Sequence, residues 1–181
     1  APGGKTLQLA AAGAQVTAID ISAARLKRLA QNLARCGLAA DLVRADALDW
    51  RPETAPDAIL LDAPCSATGT IRRHPDLPFR RDGSSIADLL GLQAHLIDHA
   101  LSLLQAGGRL VYAVCSLLPD EGEAQIAAAL SRHPGLTVET SALTGTDPGW
   151  VTTGGGLRLR PDYWPERGGM DGFFMARLRL S

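Results

Sequence analysis

Two cysteines follow two apolar, strand-like runs of this sequence. Cys65 comes shortly after residues 58–61, and Cys115 comes directly after residues 109–114. In a parallel α/β sheet, ligands bind beyond the carboxyl ends of the strands, so both thiols are expected to face one crevice. Two thiols at equivalent strand ends favour covalent catalysis by a thiolate over a role as small apolar fillers.

The composition is that of an ordinary globular chain. Of its 181 residues, 46% are hydrophobic and 20% are charged, which is enough for one domain with its own core. The third cysteine is Cys36, so the number of cysteines is odd, and the sequence has no signal-peptide pattern. These features predict free thiols and a cytoplasmic location. The sequence also has no apolar run of membrane length, which predicts no membrane insertion. A net charge of −1 gives no global argument for a nucleic-acid partner, so such a partner must be inferred from local patches.

Segments with strand and helix patterns alternate along the chain, which predicts an α/β fold with a mostly parallel sheet and helices on both faces. The expected strands are residues 15–19, 42–44, 58–61, 109–114 and 172–180. The expected helices are residues 6–12, 22–35 and 85–105, with another from Pro119. Ser22 and Gly37 are typical caps for the second helix, and the acidic residues after Pro119 would lie on the positive end of the last one. Residues 144–156 are expected to form a loop.

A glycine turn, Pro2-Gly3-Gly4, opens the chain and leads into the first helix. In a doubly wound fold such a turn normally follows the first strand, which lies in the middle of the sheet. We therefore expect that the first strand is missing from these residues and that the domain is truncated at its N-terminus.

After the turn, two acidic residues end successive predicted strands, as they do in nucleotide-binding sites of α/β folds. Asp20 ends the strand after the first helix, where α/β nucleotide folds bind a ribose hydroxyl. Asp46 ends the next strand, where it could face an adenine amino group. For each carboxylate the alternative is a helix cap or a solvated side chain.

A second kind of nucleotide site also remains open. Lys5 and Thr6 stand in GKT at residues 4–6, which could end a Walker A loop, and Asp62 ends a run that could form a Walker B strand. The sequence therefore leaves a P-loop NTPase as an alternative.

Five short motifs occur in order along the chain: PGGKT at residues 2–6, DAPCS at 62–66, RRHPD at 72–76, YAVCS at 112–116 and PDE at 119–121. With these motifs the sequence resembles the S-adenosylmethionine-dependent RNA cytosine-C5 methyltransferases, and among them the RsmB (Sun/Fmu) group that modifies small-subunit ribosomal RNA. The resemblance extends to GFFMA at residues 172–176 and implies a Rossmann-like class I methyltransferase fold.

The resemblance also implies roles for individual residues. Cys115 would be the nucleophile, Cys65 would assist product release, and Asp62 would contact the cytosine edge and the cofactor region. The residues implied to bind S-adenosylmethionine are Ala1, Pro2, Gly3, Gly4, Lys5, Asp20, Asp46 and Asp62.

Cytosine chemistry accounts for the same residue types. C5 of cytosine is a poor nucleophile until a thiolate adds at C6, and hydrogen bonding at N3 by a partly buried carboxyl such as Asp62 would promote that addition. A free cysteine has a pKa of about 8.5, so Cys115 needs help to ionise. No ligand pattern for a metal is present among the histidines.

RNA binding must depend on local positive charge. Arg72, Arg73 and His74, with Arg80 and Arg81 further on, follow Cys65 closely and could hold phosphates around an extruded base. A solvated arginine-rich loop is the alternative.

A second basic run mixes cations with rings, as surfaces that bind single-stranded RNA do. Its members are Arg158, Arg160, Tyr163, Trp164 and Arg167. Ordinary packing explains the aromatic residues almost as well.

The sequence thus predicts that residues 1–181 are a catalytic domain that methylates C5 of a cytosine in small-subunit ribosomal RNA. An upstream RNA-binding domain is expected outside these residues, and a monomer is the default state. The alternatives are a P-loop NTPase and an RNA-binding remnant with impaired catalysis.

Overall fold

The structure is a computed structural model that describes residues 3–80, 85–140 and 146–181. Contacts within the chain divide it into two compact units, Ala1–Arg51 and Pro52–Ser181, which we call the N-terminal and C-terminal units. Each is described by itself.

The N-terminal unit alternates helices and strands. Its elements are α1 (Gly4–Ala11), β1 (Thr17–Ile19), α2 (Ala23–Cys36) and β2 (Asp41–Val43). The two strands are parallel, with Ile19 opposite Val43, so their carboxyl ends lie side by side.

Local signals define α2 as predicted. Leu26, Leu29 and Leu33 recur at helical spacing and form its buried face. The Ser22 hydroxyl accepts the Arg25 N–H at 3.4 Å at the start of the helix. The helix ends at Gly37 (φ 64°), in the left-handed conformation that glycine adopts readily.

The C-terminal unit contains the remaining elements. The strands are β3 (Ala58–Asp62), β4 (Arg109–Val114), β5 (Leu136–Val138), β6 (Leu157–Leu159) and β7 (Phe173–Leu180). The helices are α3 (Leu77–Arg80), α4 (Ile86–Leu103) and α5 (Glu123–Arg132). No helix in the described part of the chain combines the length and the apolar character needed to cross a membrane.

The sheet of this unit is mixed and has the order β3-β4-β7-β5, with β6 also paired to β7. β3 and β4 are parallel, whereas β7 is antiparallel to β4, β5 and β6. The predicted α/β class is confirmed.

The core of the C-terminal unit lies around β4 and β7. The strands contribute fully buried side chains that pack with Ile97 of α4, and they are Leu110, Tyr112, Val114, Phe174 and Leu178. Apolar burial of this kind fixes the strand register, because a one-residue slip would turn every buried side chain to the other face.

Some boundaries differ from the sequence prediction. The strands β5 and β6 were not predicted, and α5 begins at Glu123, after a separate 3-10 turn at Pro119–Glu121. In the predicted loop 144–156, residues 144 and 145 lie outside the described residues, and a 3-10 turn occupies Pro148–Trp150.

Two contacts to Asp98 join α5 to α4 at the surface of this unit. Arg132 and His133, at the end of α5, both contact Asp98 of α4, with shortest N–O distances of 2.8 and 2.7 Å. Partial burial raises the pKa of Asp98, but the hydrogen bonds from Arg132 and His133 outweigh that effect and hold the pKa below its usual value.

Candidate active site

The structure brings the two predicted thiols together. β3 and β4 are parallel neighbours, with Asp62 opposite Ala113, so the segments that follow them emerge at the same sheet edge. The Sγ atoms of Cys65 and Cys115 are 3.5 Å apart, and both side chains are partly buried. We call these two residues the thiol pair.

The Cys65 thiol is a weaker acid than an ordinary cysteine. The hydrogen bond with Cys115 and then burial raise the pKa of the Cys65 thiol well above its usual value. Two thiolates at 3.5 Å would repel each other, so the pair favours one negative charge at most. With its pKa raised, the Cys65 thiol is protonated at neutral pH, and its S–H can donate to the sulfur of Cys115.

Gly69 holds the backbone of the nucleophile segment. Its N–H donates to the carbonyl of Cys115 at 3.0 Å, and its own carbonyl accepts the N–H of Gly172 at 2.7 Å. A Cβ at residue 69 would lie only 2.0 Å from the Gly172 oxygen. Only glycine allows three backbone segments to approach so closely.

Three hydroxyls join the segments that follow the thiols. The Oγ atoms of Ser66 and Ser116 and Oγ1 of Thr68 are each 3.2 Å from the other two. The hydroxyls of Ser116 and Thr68 also accept the N–H groups of Leu118 and Leu117. Sequence reasoning missed this cluster, although the repeated Cys-Ser pair at residues 65–66 and 115–116 could have indicated it.

Glu121 is buried beside the same segments. Its side chain is fully buried and accepts from Ser66 N–H at 2.8 Å and from the Ser66 hydroxyl at 2.5 Å. The expectation that this acid would serve as a charge on the positive end of a helix is wrong, because α5 begins two residues later and the carboxylate points to the β3 side.

Asp62 ends β3 with its side chain exposed. The expectation of a partly buried carboxyl is therefore wrong. Its position at the strand end, three residues before Cys65, is as predicted.

A cleft of about 500 Å³ opens beside Cys65. The residues that line it come from the segment after β3 and from the start of α4, and they are Pro64, Cys65, Ser85, Asp88, Leu89 and Leu92. Its volume is within the range of small-ligand sites, and its mostly apolar wall suits the face of a planar base.

The predicted cofactor residues of the N-terminal unit lie at one end of its strands. Asp20 and Asp46 follow the parallel neighbours β1 and β2. Both carboxylates also make local contacts, as expected if they serve as helix caps or solvated side chains. Asp20 accepts the Ser22 N–H and pairs with Arg25, and Asp46 accepts the Leu48 N–H.

The glycine turn is only partly described. Ala1 and Pro2 lie outside the described residues. Gly3 precedes α1 with φ 88°, and a Cβ there would lie 2.2 Å from Leu29 Cδ1. Gly4 and Lys5 form the first turn of α1, and nothing lies within 4 Å of a Cβ built on Gly4.

The first predicted RNA-binding group is exposed but not unpaired. Arg72 and Arg73 both pair with Asp171, just before β7, with N–O distances of 3.6 and 2.6 Å. His74 is exposed in the same segment. Arg81 and the side chain of Arg80 lie outside the described residues.

The second basic run is largely structural. Arg158 is only partly exposed, with 13% of its side chain accessible: it pairs with Glu123, donates to the Ser116 carbonyl at 2.5 Å and lies over the ring of Phe174. The interpretation of Arg158 as an RNA-facing cation is therefore wrong.

The rest of that run forms a small aromatic cluster. Arg160 pairs with Asp162, Arg167 lies 4.9 Å from the centre of the Trp164 ring, and the rings of Tyr163 and Trp150 stack at 5.6 Å. Packing accounts for Trp150 and Tyr163, whereas Trp164 is 39% exposed.

Comparison with known proteins identifies the relatives of this arrangement. Residues 1–179 match the family described as 16S rRNA methyltransferase RsmB/F. Ribosomal RNA small subunit methyltransferase B of Erwinia tasmaniensis is 42% identical over 98% of this chain, and that of Citrobacter koseri is 44% identical over the same share. The chain spans 40% of the length of each of these two relatives.

Solved structures agree with the sequence comparison. NSun6 from Pyrococcus horikoshii, solved with SFG, has a TM-score of 0.81 and 32% identity, with 99% of this chain and 45% of that one covered. A methyltransferase homolog protein from the same organism has a TM-score of 0.80 and 31% identity, with coverage of 100% and 59%.

The fold and these similarities define a class I methyltransferase, the α/β class whose methyl donor is S-adenosylmethionine. More narrowly, the chain belongs to the RsmB/F family of 16S rRNA methyltransferases. Family membership favours the methyltransferase prediction over the P-loop alternative.

Proposed function

We propose that this chain transfers a methyl group from S-adenosylmethionine to C5 of a cytosine in small-subunit ribosomal RNA, through a covalent bond between Cys115 and C6 of the base. The observation that carries the proposal is the thiol pair, with 3.5 Å between the two sulfurs at the ends of adjacent parallel strands. Family membership supports the methyl donor and the ribosomal RNA, and the pair supports the cysteine chemistry.

The attack step requires a thiolate at Cys115. Because Cys65 keeps its proton, its S–H can donate to the sulfur of Cys115 and stabilise the negative charge there. The Cys115 sulfur then forms a bond to C6, and the electrons of the C5–C6 double bond make C5 nucleophilic. We propose that Asp62, exposed at the end of β3, hydrogen bonds with the cytosine edge.

The release step uses the same pair. Bound S-adenosylmethionine supplies the electrophilic methyl group. After transfer, a base removes the proton at C5, the C5–C6 double bond forms again, and the bond between C6 and the Cys115 sulfur breaks. Cys65 assists this departure because its S–H donates to the leaving thiolate.

The N-terminal unit has residues suited to the cofactor. On Asp20, the contacts from Ser22 and Arg25 all reach Oδ1, so these described neighbours leave Oδ2 to accept a ribose hydroxyl. We propose that Asp46 takes the adenine side and that residues 1–5 lie along the methionine and ribose.

RNA contact is proposed for the exposed segment after Cys65. An arginine has five N–H donors, so Arg72 and Arg73 can contact phosphates while they pair with Asp171. His74 lies beside them and adds a further polar contact.

The test compares cysteine variants of the purified protein, with labelled S-adenosylmethionine and small-subunit ribosomal RNA. Cys115→Ala should abolish methyl transfer, because no sulfur remains to attack C6. Cys65→Ala should trap a protein–RNA adduct that survives denaturing electrophoresis. The opposite pattern would reverse the two roles.

Two controls accompany this test. Cys36→Ala should change neither result, because this cysteine is exposed at the end of α2. Calorimetry with S-adenosylmethionine and with ATP tests the donor, and tight binding of ATP with no response to S-adenosylmethionine would refute the proposal.

A further inference from the structure

Glu121 connects to both residues that flank Cys65. Its carboxylate accepts the Ser66 N–H at 2.8 Å and the Ser66 hydroxyl at 2.5 Å. It also accepts from Nε2 of Gln93 at 3.1 Å, and the same nitrogen donates to the Pro64 carbonyl at 2.9 Å. The backbone is therefore held immediately before and immediately after Cys65.

Glu121 is also attached to the strand that leads to Cys115. Its backbone carbonyl accepts the hydroxyl of Tyr112, on β4, at 2.7 Å. Ser66, which the carboxylate holds, contacts Ser116 through the hydroxyl cluster at 3.2 Å. One residue thus links the segments that bear the two sulfurs.

Burial of a carboxylate is costly, and Glu121 and Gln93 are both fully buried. Replacement of buried charged groups by well-packed apolar ones is often neutral or stabilising, so stability alone does not explain such a group. Three donors, the Ser66 N–H, the Ser66 hydroxyl and Nε2 of Gln93, orient the carboxylate. These hydrogen bonds fix the segment that carries Cys65, and so they set the distance between the two sulfurs of the thiol pair.

We propose that Glu121 is a positioning residue, which fixes the backbone on both sides of Cys65 and thereby sets the distance and orientation of its thiol relative to Cys115. The inference rests on the proposed function, in which Cys65 assists release from Cys115. A displaced Cys65 thiol no longer donates well to the leaving sulfur, so the release step is the one that Glu121 should control.

The experiment compares Glu121→Ala with Glu121→Gln in the purified protein. The alanine variant should lower kcat for RNA methylation by about a hundredfold, the scale expected for a displacement near 1 Å, with the KM for RNA unchanged. It should also accumulate the covalent RNA adduct. The glutamine variant should have a kcat at least about tenfold above that of the alanine variant, because its amide oxygen still accepts the Ser66 N–H.

A second measurement does not depend on methylation. The rates at which iodoacetamide alkylates the thiol pair are compared by mass spectrometry with that of the exposed Cys36 in the same molecule. Glu121→Ala should change the ratio of the Cys65 alkylation rate to the Cys36 alkylation rate severalfold, and Glu121→Gln should restore that ratio. If the wild-type protein transfers no methyl group, the proposed function fails, whereas the alkylation ratios still test Glu121.

Gln125→Ala is the matched control. Gln125 is a buried polar residue in α5, and its amide donates to the Leu90 carbonyl and not to the thiol segments. If Glu121→Ala does not fold, Gln93→Leu replaces it, since leucine preserves volume and removes the donor to Pro64. The inference is overturned if the thiol ratios and kcat stay at wild-type values, or if Gln125→Ala changes them equally.

Discussion

Gly69→Ala is the sharpest test of how the nucleophile segment is held. The new Cβ would lie 2.0 Å from the Gly172 oxygen and 3.0 Å from the Cys115 oxygen, whereas ordinary contact begins at 3.4 Å. The backbones of residues 69 and 172 must therefore separate by about 1.4 Å, which breaks the 2.7 Å hydrogen bond between them. Residues 69 and 115 need about 0.4 Å, which weakens their 3.0 Å hydrogen bond.

The cost follows from these contacts. One lost and one weakened hydrogen bond together cost about 1–2 kcal/mol, and the remaining overpacking adds about 1–3 kcal/mol. The free energy of unfolding should fall by about 2–5 kcal/mol, which lowers Tm by about 4–20 °C for a chain of this size. Urea and thermal unfolding, followed by circular dichroism, measure both quantities.

Gly91→Ala provides the matched control. Gly91 lies in α4, and a Cβ there meets no atom of the described residues within 4 Å outside the helix backbone around it. Alanine is favoured over glycine by about 1 kcal/mol inside a helix, so this variant should be slightly more stable than the wild type. Equal stability of Gly69→Ala and Gly91→Ala would refute the close-approach argument.

Three further outcomes are expected. Tyr112→Phe should lower the free energy of unfolding by about 1–3 kcal/mol in urea titrations, because it leaves the buried Glu121 carbonyl without its donor. The pKa of Asp98 is held below its usual value, so its carboxylate stabilises the fold above the unfolded-state pKa of about 4 and loses that contribution as pH falls through the folded-state pKa. The difference in unfolding free energy between wild type and Asp98→Asn should therefore shrink on acidification. A difference that does not change with pH would contradict this. Mild oxidation with diamide should join the thiol pair, 3.5 Å apart, in a reducible disulfide that leaves Cys36 alkylable, as peptide mapping would show.

The sequence predicted those features that have local causes. The bounds of β4 match the prediction, and α2 has the expected caps at Ser22 and Gly37. Short strands such as β5 and β6 have three residues each and exist because they pair with β7, which is distant in sequence. Such pairing leaves no local pattern.

In the candidate site, too, features with local causes were predicted and features that depend on distant residues were not. The strand-end position of the thiol pair followed from two apolar runs. The direction of the Glu121 carboxylate depends on Ser66, 55 residues away, and the partial burial of Arg158 depends on Glu123, 35 residues away. These partners are specified by packing, so the sequence alone placed Glu121 at a helix start and Arg158 on an RNA-binding surface.

The antiparallel strand β7 has a consequence for synthesis of the protein. It follows every other strand of its sheet in the chain, yet it lies between β4 and β5. Until residues 173–180 leave the ribosome, β4 exposes an unpaired apolar edge, the kind of edge that promotes aggregation. A nascent chain should therefore depend on chaperones for the interval between the synthesis of β4 and that of β7, and ribosome profiling of chaperone-bound chains would locate that interval.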